Sequence, residues 1–186
     1  MLFETIRCKN GSAQNLQYHE KRMLDSSKKE FDLSFLKPPT DGVYRCKLIY
    51  KDKIESAEFL PYVKKEIKTL KIVSANIDYS KKFLDRNALE ALFALRGYCD
   101  DVLIVKNGKI TDTTIANTAF LDKNGRWLTP KQPLLRGTMR QKLLDEGFLE
   151  EVEINIDDIE GFQEIAVLNA LRGFEPLGAL YDVMKF

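Results

Sequence analysis

Three kinds of side chain in this 186-residue sequence could act together: an amine, an acid and a set of anion-binding donors. Lys81 and Lys82 stand side by side in SKKFLDR (80–86), with Arg86 in the same stretch. A lysine becomes an effective nucleophile or base when desolvation or a neighbouring cation lowers its pKa, and Arg86 could be that cation. The same residues also suit a solvated surface with one lysine paired to Asp85, since charge runs are usually solvated. GKITDTTIANTAF (108–120) places Asp112 just past a hairpin turn and Asn117 in the loop after it. A lone aspartate there is most often a turn or strand-end residue, and Asn117 reads as a structural hydrogen-bonder in a loop. LLRGTMR (134–140) sets a glycine ahead of a helix, and a helix start exposes unpaired backbone N–H groups that suit a phosphate. LNALRGFEPL (168–177) is a strand that opens into a glycine-containing loop.

The elements that must position these residues follow from pattern. LFETIRC is β-prone and ends at the Asn10-Gly11 turn signal, and residues 17–29 have a charged helical pattern. FLKPPTDG is a loop, and VYRCKLIY–KDK–IESAEFLPY alternates as a hairpin. TLKIV (69–73) is a strand, with a domain boundary expected near residue 75. A helix is expected across FLDRNALEALFALRGY, starting near the lysines, with Leu84, Ala88, Leu92 and Leu95 on its buried face. Cations at such a start would oppose the helix dipole. DVLIV is a buried strand, Asn107-Gly108 and Asn124-Gly125 mark two hairpins, and a helix runs from about Gly137 to Gly147. Strand and loop segments close the chain. Helices and hairpins mix without βαβ alternation, which predicts an α+β class.

Composition narrows the function classes. Net charge is +1, from 29 basic and 28 acidic residues, so no global basic field recruits nucleic acid or an anionic membrane. No apolar run is long enough to span a bilayer, and MLFETIRCKNG lacks the pattern of a signal peptide. Cys8, Cys46 and Cys99 are widely spaced without a CxxC, which predicts reduced thiols in a cytoplasmic protein. With one histidine, His19, a histidine-rich metal site is not expected, and no metal is assigned.

The order of these motifs resembles the class IV aminotransferases, the fold-type-IV pyridoxal phosphate enzymes. FETIR and His19-Glu20-Lys21-Arg22 resemble the family's F-E-T-x-R and H-x-x-R. KFLDR resembles K-x-L-N-R of the 4-amino-4-deoxychorismate lyases, which puts the Schiff-base lysine on Lys82. GKITDTTIANTAF is similar to G-x-(V/I)-T-E-x-x-x-x-N-(L/I)-F, WLTP matches the following strand, LLRGTMRQ resembles L-x-G-x-x-R, and LNALRGFEPL resembles the lyases' N-A-L … P-(V/L).

The resemblance implies a two-domain, D-amino-acid-aminotransferase-like α+β fold, with a shortened N-terminal domain over 1–75 and a larger pyridoxal 5'-phosphate-binding domain over 76–186. Lys82 would carry the cofactor and move the substrate's Cα proton. Arg22 would pair with the phosphate. Backbone N–H groups of Thr138 and Met139 would bind the same phosphate, and Asn169 and Ala170 fall on a second phosphate-binding loop. Asp112 takes the place of the glutamate that faces the pyridine nitrogen, although it is one methylene shorter. The chain starts almost directly at FETIR, without the strand and glycine-rich turn expected ahead of it, and the stretch from Arg22 to Lys82 is abbreviated. The implied activity is that of an aminodeoxychorismate lyase, eliminating pyruvate to give 4-aminobenzoate, a folate precursor. The alternatives are a branched-chain or D-amino-acid aminotransferase, and a non-catalytic protein that keeps the fold for binding. The implied partners are a small amino substrate and a second copy of the chain.

Overall fold

The computed structural model describes residues 1–185. They fall into two compact units: Met1–Lys64 with Lys81–Asp85, and Lys65–Ser80 with the chain from Arg86 on.

The first unit contains β1 (Leu2–Lys9), β2 (Ser12–Ala13), α1 (Leu16–Ser27), β3 (Val43–Tyr50) and β4 (Ile54–Pro61). Its antiparallel sheet has the order β2-β1-β3-β4. Asn10 and Gly11 both take positive φ, 47° and 78°, as an Asn-Gly hairpin turn requires. Side chains alternate across a strand, so Glu4, Ile6 and Cys8 share the buried face of β1. Ile6 and Cys8 pack with Met23, Leu33, Cys46, Leu48 and Tyr50. Helix α1 contributes His19 and Met23, four residues apart and therefore on one face.

The lysine stretch is not the start of a helix, contrary to the sequence expectation. Phe83 forms an antiparallel bridge with Leu2, Phe3 N donates to Lys82 O at 3.0 Å, and Leu84 N donates to Met1 O at 3.1 Å. This extended pairing with β1 fixes residues 82–84 outside the helical region, and α2 (Asn87–Ala94) begins only at Asn87. Its buried residues are Leu89 and Leu92, not the expected 84/88/92/95 stripe; Leu95 is 52% exposed. The helix-dipole penalty on the lysines falls away with the helix.

The second unit is built on β5 (Leu70–Ser74), β6 (Asp101–Lys106), β7 (Lys109–Thr113), β8 (Asn117–Leu121), β9 (Trp127–Pro130), α3 (Thr138–Asp145), β10 (Leu149–Val152), β11 (Glu164–Asn169), β12 (Gly173–Ala179), α4 (Leu180–Val183) and β13 (Met184–Lys185). The main strand order is β10-β9-β8-β7-β6-β5-β13, and β11 pairs with both β8 and β12. Strand β5 lies ahead of the boundary expected near residue 75, yet it pairs in parallel with β6 in this second sheet. The five buried residues Asp101–Val105 of β6 explain why DVLIV is almost continuously apolar. One core joins Leu70, Leu103, Val105, Ile110, Phe120 and Ile165, and a second joins Ala119, Leu149, Ala166 and Leu168. Helix α3 stops where Gly147 takes φ 69° and its N–H closes onto Leu144 O. Helices and a largely antiparallel sheet make this an α+β fold. Among the described residues, no helix is long and apolar enough to cross a membrane.

Candidate active site

Asp112 sits where β7 meets β8, and the register pairs it with Asn117. The acid is 4% exposed. Its Oδ1 accepts from Asn117 Nδ2 at 2.8 Å and its Oδ2 from Leu135 N at 2.9 Å. Burial raises the Asp112 pKa to about 7, against the lowering effects of these donors and of the Arg140 charge. The carboxyl is thus poised near neutrality, and a cation brought beside it would favour the ionised form.

Asn117 also donates to Leu135 O at 2.8 Å, so its amide ties the acid to the loop that leads into α3. Gly137 is the N-cap of that helix, and a Cβ placed on it would lie 1.9 Å from Asn117 Oδ1. The close approach explains the glycine without any appeal to backbone freedom. Thr138 and Met139 open α3, whose first N–H groups have no partner within the helix. Arg140 is 1% exposed; its Nη2 donates to Pro130 O and Glu151, while Nε and Nη1 are buried without a partner. Asn169 Nδ2 donates to Ile115 O at 3.0 Å, and its Oδ1 accepts from Leu171 N and Arg172 N. Arg86 Nη2 donates to Thr114 O at 2.9 Å. Asp112, the α3 start, Asn169–Ala170 and Arg86 are therefore gathered around the 113–116 turn.

The first unit holds both lysines. Lys82 is half-buried, with Nζ 4.7 Å from the centre of the Phe3 ring. Lys81 is exposed, and its Nζ donates to Ser26 O at 2.7 Å. The environment separates two lysines that sequence pattern left equivalent: one is a surface tether and the other sits against a ring. Arg22 Nε donates to Glu4 Oε1 at 2.9 Å, Arg22 Nη2 donates to Glu4 Oε2, and His19 Nδ1 lies 2.7 Å from Oε2. Burial alone would raise the Glu4 pKa, but the Arg22 charge and His19 outweigh it and bring it down to about 2.

Of the expected site residues, Arg22 and Lys82 thus lie in the first unit, and Asp112, Thr138, Met139, Asn169 and Ala170 lie in the second. Pattern reading assigned no role to Glu4, His19 or Arg140. The period-two alternation Glu4–Ile6–Cys8 could have flagged Glu4 as an inward-facing charge. Each unit by itself has groups that fit part of an anionic, nitrogen-containing aromatic cofactor: helix N–H groups suited to a phosphate and a buried acid suited to a cationic nitrogen in the second, a guanidinium and an amine in the first. Among the described residues, no cluster of three or more His, Cys, Asp or Glu is placed to hold a metal.

Residues 61–179 match the amino-transferase class IV family, and the chain belongs to that family of fold-type-IV pyridoxal phosphate enzymes. It is 36% identical over 185 residues to an uncharacterized protein of Haemophilus influenzae, covering 92% of this chain and 98% of that one. The crystal structure of a "putative 4-amino-4-deoxychorismate lyase" from Haemophilus somnus 129pt matches with TM-score 0.85 and 35% identity, over 92% of this chain and 96% of that chain. A hypothetical aminotransferase from Mycobacterium tuberculosis, solved in a PLP-bound form, shares the fold at TM-score 0.77 and 19% identity, over 94% and 79% of the two chains.

Two outcomes follow. Gly137→Ala forces Asn117 away from Asp112 and lowers stability by about 1–3 kcal/mol or more, the usual cost of overpacking, read as a lower urea midpoint. The folded Asp112 keeps its proton to about pH 7, whereas an aspartate in the unfolded chain loses it near pH 3.8. This group therefore favours the folded chain most below pH 4, loses that contribution as pH rises to about 7, and adds no slope above it. Urea titrations of the cofactor-free protein should show that fall, and Asp112→Asn should flatten it.

Proposed function

We propose that this chain is a pyridoxal 5'-phosphate enzyme with Lys82 as its catalytic amine, and that it eliminates pyruvate from 4-amino-4-deoxychorismate to leave 4-aminobenzoate. Asp112 carries the reading: a buried acid, aligned by Asn117 and Leu135, stands where the family motif has its ring-facing glutamate. Serving only the fold, a buried carboxyl whose donors do not fully offset its burial would be a liability.

By the motifs they match, Arg22 through its Nη1 and, in the second unit, the N–H groups of Thr138, Met139 and Ala170 are the chain's donors for a phosphate. Asn169 holds its loop in shape through the bonds to Leu171, Arg172 and Ile115. The cofactor, when bound, supplies an electron sink for the carbon that loses a proton. Asp112, ionised against a cationic ring nitrogen, maintains that sink. Lys82 Nζ takes the proton from the substrate carbon that bears the nitrogen and can return it to the departing three-carbon unit. The name of the Haemophilus somnus relative and the NALRGFEPL segment favour the lyase over an aminotransferase. Assembly as a homodimer is part of the same proposal.

The test is a product assay on the purified chain with pyridoxal 5'-phosphate. Given 4-amino-4-deoxychorismate, it should release 4-aminobenzoate and pyruvate in equal amounts, and Lys82→Ala should release neither. Amino transfer from an amino acid to a 2-oxo acid, without that release, would instead support the aminotransferase reading. No turnover of either kind, with cofactor still bound, would support a binding protein.

A further inference from the structure

We propose that Glu4 and His19 are positioning residues that hold the Arg22 guanidinium edge-on, so that its Nη1 side is presented to the cofactor phosphate. The inference rests on the functional reading above and adds two residues to it.

Glu4 is fully buried on the β1 face that also carries Ile6 and Cys8. A carboxylate there stabilises nothing by itself, because a well-packed apolar residue of similar volume is often equal or better than a buried ion pair. Its geometry is directional instead. Both of its oxygens accept from one edge of Arg22, the Nε–Nη2 edge, a two-point bond that fixes the plane of the guanidinium as well as its position. This uses the inner edge of the fork and leaves Nη1 outside the pair.

His19 completes the clamp. A carboxylate can only accept, so the 2.7 Å approach of Nδ1 to Oε2 makes Nδ1 the protonated nitrogen. Burial lowers the pKa of His19 against the opposing pull of Glu4, and the Arg22 and Lys82 charges add to the lowering, so the ring is a neutral donor. Its Nε2 is buried without a partner, so the interaction holding the ring in place is the one to Glu4. His19 and Arg22 are three residues apart on α1 and meet the same carboxylate from one helix face. The preceding residue of β1 sets the amine: Phe3 N donates to Lys82 O, and its ring lies beneath Lys82 Nζ. Two successive residues of one strand therefore set the amine and the anion-binding arginine.

The experiment compares affinities for pyridoxal 5'-phosphate and for phosphate-free pyridoxal, by absorbance titration of the full chain, in wild type, Glu4→Gln, His19→Phe, His19→Asn and Arg22→Lys. Losing a charged hydrogen bond should weaken the phosphorylated form by about 10- to 100-fold in Glu4→Gln and Arg22→Lys. Pyridoxal affinity should stay within about twofold of wild type in both, because the clamp acts on the phosphate alone. His19→Phe should show the same selective loss, and His19→Asn, whose amide N–H can replace Nδ1–H, should recover most of it. His19→Phe and Arg22→Lys keep the test decisive if Glu4→Gln does not fold. Equal losses for both ligands, or no loss for either, would overturn the positioning role while leaving the functional reading intact. A wild-type chain that binds neither ligand would overturn both.

Discussion

The buried carboxyl of Asp112 is the constraint around which the second unit is arranged. Taking an acid out of water between two strands is unfavourable unless donors meet it, and here two do: the Asn117 amide across the strand pair and the Leu135 backbone N–H. Both belong to neighbouring chain, not to Asp112's own strand, so the acid draws the β8 start and the loop before α3 into fixed places. Asn117 then excludes any side chain at residue 137, and the glycine lets α3 begin directly against it. The helix start, the acid and the 113–116 turn are one hydrogen-bonded assembly. Its donors do not fully offset burial, which is why the acid titrates near neutrality. A residue that only stabilised the fold would gain from being apolar or fully ionised.

In the first unit the organising residue is also an acid, with the opposite electrostatic outcome. Glu4 is as deeply buried, but it faces a permanent cation and a histidine donor and stays ionised to about pH 2. The contrast follows from partners: a guanidinium supplies full charge and two N–H groups, whereas an amide and one backbone N–H supply only dipoles. One carboxylate is thereby a fixed clamp and the other is left responsive to a cation.

Much of this was legible in the sequence. The Asn-Gly turns, the hairpin at 43–61, the buried DVLIV strand and the glycine-bounded helix at 138–145 follow from local propensity, because their signals are short-range. The Asp112, Asn117 and Gly137 positions were visible as motif members, although their hydrogen bonds were not. The helix start was misplaced because FLDRNALEALFAL carries helical periodicity across its whole length. Pairing of residues 82–84 with β1 overrides that periodicity, and the partner strand lies at the far end of the chain. Strand β5 was assigned to the wrong side of the boundary for a similar reason: it precedes the lysine stretch, yet its pairing partner is β6. Glu4 was visible only as a member of FETIR: alternation with Ile6 and Cys8 marks its face, but its partners His19 and Arg22 lie on another element.

The central claim is that Lys82, the lysine held against Phe3 and not its exposed neighbour, is the amine that carries the chemistry. The direct measurement is the absorption spectrum of the purified chain with pyridoxal 5'-phosphate before and after borohydride, followed by peptide mapping. A visible band that collapses on reduction, with the label on Lys82, is the predicted result. A label on Lys81, or no band and no label, would contradict it.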